Sequence, residues 1–235
     1  MELKHMFTIG LIDDNDSELD DICATLHVTW EKNEEINAEF RNKNYRLKNR
    51  TDLRDSLESE LLQDIETNVI QGLIVDYKLD SLHKVISGKE IVHFIEEGVP
   101  AFPVVILTNA PEPGKREDVI DPDKVYPKYD FLAVDEKTSN EMCFKIFLNA
   151  KNYYNQRLDL ETKLNTALDE LLSRPDEVND VDLLVKISEI ENKLSKYKPM
   201  SRSQVDSASD LAELKDIISR IVSLEDQLGI AQQKS

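Results

Sequence analysis

Gly72-Leu73-Ile74-Val75-Asp76 is the most uniformly apolar stretch of the chain, and it ends on a carboxylate. A short run that is apolar at every position predicts a strand covered on both faces, as in the middle of a parallel sheet. Comparable runs lie at residues 7–12, followed by Asp13 and Asp14, and at 104–107, followed by Thr108; a shorter one at 125–126 precedes Pro127 and Lys128. Strands of an open parallel sheet end on one edge, so side chains far apart in sequence meet there. The pattern predicts an α/β fold in which three carboxylates, a hydroxyl and an ammonium share one pocket.

Those groups suit a particular chemistry. Mg2+ takes hard oxygen ligands and keeps several waters, so two or three carboxylates and a backbone carbonyl are a sufficient protein contribution. A phosphoryl group arriving on a carboxylate spreads negative charge over its oxygens, which a metal, a hydroxyl and a lysine can stabilise. Asp76, after the most buried strand, is the natural acceptor. Taken singly, each residue has a plainer reading. Asp13-Asp14-Asn15-Asp16-Ser17 can be a helix cap with dipole compensation, Asp76 a strand-ending turn residue, Thr108 a turn hydroxyl and Lys128 a solvated loop charge. The ordered set, each member beside its own strand, is much harder to obtain by accident.

In these residues the chain resembles the receiver domain of bacterial two-component response regulators. The matching segments are Ile9-Gly10-Leu11-Ile12-Asp13-Asp14, Leu73-Ile74-Val75-Asp76-Tyr77-Lys78-Leu79, Val105-Ile106-Leu107-Thr108-Asn109-Ala110 and Tyr126-Pro127-Lys128, with Gly88 opening the helix after the phosphorylation loop. The resemblance covers about residues 1–150 and implies a doubly wound five-stranded parallel sheet of the flavodoxin-like kind. It also implies that Asp13, Asp14, Asp76 and the backbone carbonyl of Lys78 hold Mg2+, that Asp76 is phosphorylated, that Thr108 senses the phosphoryl group and that Lys128 pairs with it. On this reading the protein is not an enzyme beyond phosphotransfer to its own aspartate.

Several features depart from the family pattern. The interval from Asp14 to Asp76 is long, with a polar excess at 42–50 read as a variable surface insertion and a helical stretch near 51–65. The loop from Asp76 to Gly88 is also long, and Asp80 replaces its common proline. Tyr129 replaces the proline after the lysine, and Pro127 precedes it, which keeps Lys124 open as a second candidate. Pro111, Pro113 and Pro122 fall where a fourth helix belongs; proline inside a helix costs about 3 kcal/mol, so that helix is expected to be short or absent. The usual aromatic switch position is Val125 here, with Tyr126 one place off.

Composition sets the class. A chain of 235 residues with 40% apolar content can bury one α/β core and a smaller second unit. No apolar stretch approaches membrane-spanning length and Met1 leads directly into the first strand, so a cytoplasmic protein without membrane insertion is expected. Cys23 and Cys143 lack metal-ligand or redox spacing and read as reduced thiols. The net charge of −18 divides into −14 over residues 1–150 and −4 over 151–235. Nucleic-acid binding relies on clustered Lys and Arg; the one basic stretch, 41–54, reads as a solvated loop, so no nucleic-acid partner is expected.

From Thr138 the apolar spacing becomes helical. Met142, Ile146, Ala150, Tyr153, Leu160, Leu164, Ala167 and Leu171 fall largely on one face, which predicts that the receiver's last helix continues without a linker to about residue 174, or ~55 Å at ~1.5 Å per residue. Two more helices are expected, at 176–198 (Leu183, Ile187, Ile190, Leu194, Tyr197) and 207–228 (Leu211, Leu214, Ile218, Ile221, Leu228). Residues 151–235 are thus read as an α-helical interaction or dimerisation domain, a coiled coil or a short bundle. The four histidines are His5, His27, His83 and His93, so this region holds none and cannot be a histidine-phosphotransfer module.

The expected function is a response regulator of a phosphorelay. It takes a phosphoryl group on Asp76 from a histidine kinase or phosphotransfer protein and signals as a homodimer to an unidentified downstream protein. A phosphate sink or relay without its own effector is the alternative. A receiver-linked helical phosphatase using Gln204, Gln227, Gln232 or Gln233 is a third.

Overall fold

The computed structural model describes residues 5–33, 38–47, 53–79, 86–109, 121–134, 137–173 and 181–199. In chain order the elements are β1 (His5–Ile12), α1 (Asp16–Lys32), β2 (Ala38–Asn44), α2 (Leu53–Glu66), β3 (Gly72–Asp76), α3 (Gly88–Gly98), β4 (Val104–Thr108), β5 (Val125–Pro127), α4 (Lys128–Leu132), α5 (Lys137–Ser173) and α6 (Val181–Leu194). The five strands form one sheet in the order β2-β1-β3-β4-β5, and every neighbouring pair is parallel. This α/β arrangement is compatible with a flavodoxin-like fold.

β3 and β4 are buried at every residue, as central strands covered on both faces should be. Alternation along β3 divides the core. Leu73 and Val75 join Leu57, Leu61 and Ile65 of α2 and Ile91, Val92 and Ile95 of α3 on one face. Ile74 points to the other face, among Leu19, Ile22 and Leu26 of α1 and Cys143, Ile146 and Ala150 of α5. An aromatic group of Phe7, Trp30 and Phe147, with Phe40 and Tyr154 against it, closes the start of β1.

β2 corrects the reading of 41–54 as loop over residues 41–44; residues 48–52 lie outside the described residues. Residues 38–44 pair with β1 from His5↔Ala38 to Leu11↔Asn44. The strand has an exposed outer edge and carries Arg41 and Lys43, so its sequence lacks the apolar continuity that marks β3. Lys43 is ion-paired with Glu60 and Asp64 of α2, and Tyr45 donates a 2.6 Å hydrogen bond to Asp64.

The long helix is present as one element, α5, and α6 turns back along it. Leu183, Ile187 and Ile190 of α6 pack on Ala167, with Leu160, Leu164 and Leu171 alongside. Two attachments hold this hairpin to the sheet domain. Arg157, 4% exposed, donates 2.5 Å hydrogen bonds to the carbonyls of Ile65 and Glu66 at the end of α2. Just beyond α6, the Lys196 carbonyl accepts from the Ala101 amide (2.9 Å), while the Tyr197 carbonyl, accepting from the Tyr153 hydroxyl (2.6 Å), ties the returning segment to α5 itself. Among the described residues no helix is long and apolar enough to cross a membrane. The expected helix at 207–228 and the Pro111 and Pro113 interval lie outside the described residues; Pro122 begins a single 3-10 turn, Pro122–Lys124.

Candidate functional site

The carboxyl edge of the sheet assembles the site. Asp13 and Asp14 follow the last residue of β1, Asp76 ends β3, Thr108 ends β4, and Lys128 follows the last residue of β5. Asp13, Asp76, Thr108 and Lys128 are buried, while Asp14 is half-buried. One carboxylate oxygen from each of Asp13, Asp14 and Asp76 lies within 4.8 Å of the others. Register places Thr108 beside them. Its predecessor Leu107 pairs with Asp76, and Thr108 pairs with Pro127, next to Lys128.

Lys128 is the electrostatic centre. Its Nζ donates to Asp13 Oδ2 (2.7 Å), to Asp76 Oδ1 (2.9 Å) and to the Glu18 carboxylate on α1. Burial alone would lower the lysine pKa, but these bonds outweigh it and hold the ammonium above its ordinary value. Burial pushes both Asp13 and Asp76 above the usual carboxylate range; Lys128 opposes the shift at each, and the Asp13 charge adds to it at Asp76. Three carboxylates therefore surround one ammonium. The second candidate, Lys124, is elsewhere, paired with Glu96 of α3 at 2.7 Å.

Local backbone geometry fixes the acceptors. Asp13 Oδ1 accepts from the Asn15 amide and Asp76 Oδ2 from the Lys78 amide, each at 2.9 Å. Asn15 then caps α1, its side chain accepting from Ser17 N at 3.1 Å. Thus the capping reading of the acidic run and its place in the pocket are both realised, by different residues. On the other side, α3 starts with a capping box between Ser87 and Glu90. Gly88 sits so close to β3 that a Cβ there would lie 2.1 Å from the Asp76 carbonyl oxygen. Only a glycine lets the helix start this near the acceptor strand.

A cleft of about 400 Å3 opens over Asp13 and Asp14, between the first turn of α1 and the end of β2 at Asn44 with Arg46 just beyond it. Val125 packs toward α2 and α3, and Tyr126 is buried on the α1 and α5 face. The residue that sequence reasoning does not single out is Glu18. An acid in a helix's first turn already has a sufficient local reason in the helix dipole. Only the fold brings it to Lys128, 110 positions away.

The donor set could hold a metal ion: three hard carboxylates converge, and one lysine shared with Glu18 leaves an excess of negative charge there. No protein-family model, curated protein or solved structure matches the chain.

Proposed function

We propose that the chain is a phosphoacceptor regulator of the response-regulator type, with residues 1–150 as a receiver-like domain and 151–235 as a helical interaction domain. The supporting observation is the convergence of Asp13, Asp14, Asp76 and Lys128 at the carboxyl edge of a parallel sheet ordered 2-1-3-4-5, with Thr108 at the adjoining strand end. That edge is where open α/β sheets bind ligands.

On this reading a carboxylate oxygen of Asp76 attacks the phosphorus of a phosphodonor, a phosphohistidine on a kinase or phosphotransfer protein. The P–N bond breaks and the imidazole leaves with its electron pair, giving an acyl phosphate on Asp76. Lys128 neutralises charge on the transferred group and the Thr108 hydroxyl donates to it. Asp13, Asp14, Asp76 and the Lys78 carbonyl would hold Mg2+, which when bound supplies further positive charge beside the phosphoryl oxygens. Output runs through contacts of the helical region, in a homodimer and with a downstream protein, in the cytoplasm and without nucleic acid.

The test is incubation with acetyl phosphate, with and without Mg2+, followed by intact mass. One added phosphoryl group is expected, dependent on Mg2+. Asp76→Asn should abolish it, and Asp14→Ala should abolish the metal dependence together with the product. Equal labelling of the Asp76 variant overturns the proposal.

A further inference from the structure

An ammonium has three N–H donors, and Lys128 spends all three on carboxylates: Asp13, Asp76 and Glu18. If Lys128 is to bond a phosphoryl oxygen, one existing bond must open. The three partners are not equally easy to release. The Asp13 and Asp76 side chains are 2% and 10% exposed, whereas Glu18 is 34% exposed. A carboxylate released into a dry site keeps its full desolvation cost; one released at the surface is rehydrated. Glu18 also keeps a second contact, its Oε1 accepting from Asn15 Nδ2 at 3.2 Å. Its own side chain therefore need not leave the helix start.

We propose that Glu18 is a positioning residue for Lys128 that occupies the donor destined for the phosphoryl group and yields it when Asp76 is modified. The inference rests on the phosphoacceptor reading of Asp76. Glu18 then competes directly with the phosphoryl oxygens, and it sets how readily the site holds the group once formed. The same exchange ties the modification of β3 to the first turn of α1, because the carboxylate that lets go belongs to that turn.

Three variants test it. Glu18→Gln keeps an acceptor for Asn15 but removes the competing charge. Glu18→Asp keeps the charge beside the helix N-terminus but is too short to reach Lys128. Glu18→Ala removes both. Two readouts are used: the lifetime of the acyl phosphate after acetyl phosphate is removed, and the Lys128 side-chain NH3+ signal in 15N spectra with Mg2+, before and after beryllofluoride. All three variants should lengthen the lifetime about threefold to fivefold, the range of one partly exposed ion pair. In the wild type beryllofluoride should shift the Lys128 signal further than in Glu18→Ala, where the bond is already gone. If Glu18 only compensates the helix dipole, Glu18→Asp behaves as wild type and the proposal is overturned. Unchanged or shorter lifetimes in all three variants overturn it as well. A wild type that takes no phosphoryl group overturns the phosphoacceptor reading and this inference together, whereas a labelled wild type with unaltered variants overturns the inference alone.

Discussion

Replacing Lys128 by methionine keeps most of the buried side-chain volume and removes the ammonium shared by Asp13, Glu18 and Asp76. Loss of one member of a buried ion pair costs about 3–5 kcal/mol, because the remaining charge is left without compensation. Glu18 adds little to that figure, since it is solvated at the site's margin. Asp13 and Asp76 set the lower end: both already bind protons more tightly than ordinary carboxylates, and each further tenfold gain in proton affinity is worth about 1.4 kcal/mol. A net loss of about 3–4 kcal/mol at pH 8 follows, which for a chain of this size lowers the melting temperature by about 6–16 °C. The sign of the pH dependence is fixed. A carboxylate whose folded pKa lies above its unfolded value makes the native state bind more protons, so stability rises as pH falls through the folded pKa. The variant's deficit should therefore shrink between pH 8 and pH 5. Thermal melts in metal-free buffer across that range are the assay. A variant that melts with the wild type at pH 8, or a deficit that grows on acidification, would refute the reasoning.

Gly88→Ala tests the close approach of α3 to β3. Alanine ordinarily stabilises a helix by about 1 kcal/mol over glycine, but its Cβ would strike the Asp76 backbone, so urea titration should show a loss of about 1–3 kcal/mol; equal or greater stability would remove the steric argument. Burial pushes the Cys143 thiol up to about 11 from an ordinary value of 9.0. The unfolded chain then ionises first, and stability falls as pH rises from 9 to 11, by up to about 2.7 kcal/mol. Cys143→Ala should flatten that part of the pH profile, and an unchanged slope would show that the thiol does not drive it.

Legibility in the sequence follows solvent exposure. β1, β3 and β4 can be read as strands because nearly every side chain is dry, and the residues terminating them point to a common edge before any coordinates are known. β2 cannot be read that way: at the sheet's margin a strand can carry Arg41 and Lys43, and only pairing with β1 makes Ala38–Asn44 extended. Arg157 is hidden for the opposite reason. A charged residue on a 37-residue helix reads as surface, yet this one is buried because the last carbonyls of α2 need donors that their own helix lacks. Glu18 belongs with it. In both cases the local pattern is already explained, so nothing in the sequence asks for a long-range partner.

The two attachments of the α5 and α6 hairpin have a mechanical consequence. Arg157 secures the outgoing limb to the end of α2, and the Lys196 carbonyl, accepting from the Ala101 amide, secures the returning one, so both feet stand on the domain. The projection behaves as a braced post rather than a tethered arm. From Arg157 to Ser173 the outgoing limb rises about 24 Å at ~1.5 Å per residue, so a tilt of about 5° at its base carries the tip about 2 Å sideways. Displacement at the tip is thereby geared to small movements of the α2 terminus and of the turn at Ala101, at the amino edge of the sheet and a full strand length from the carboxylates.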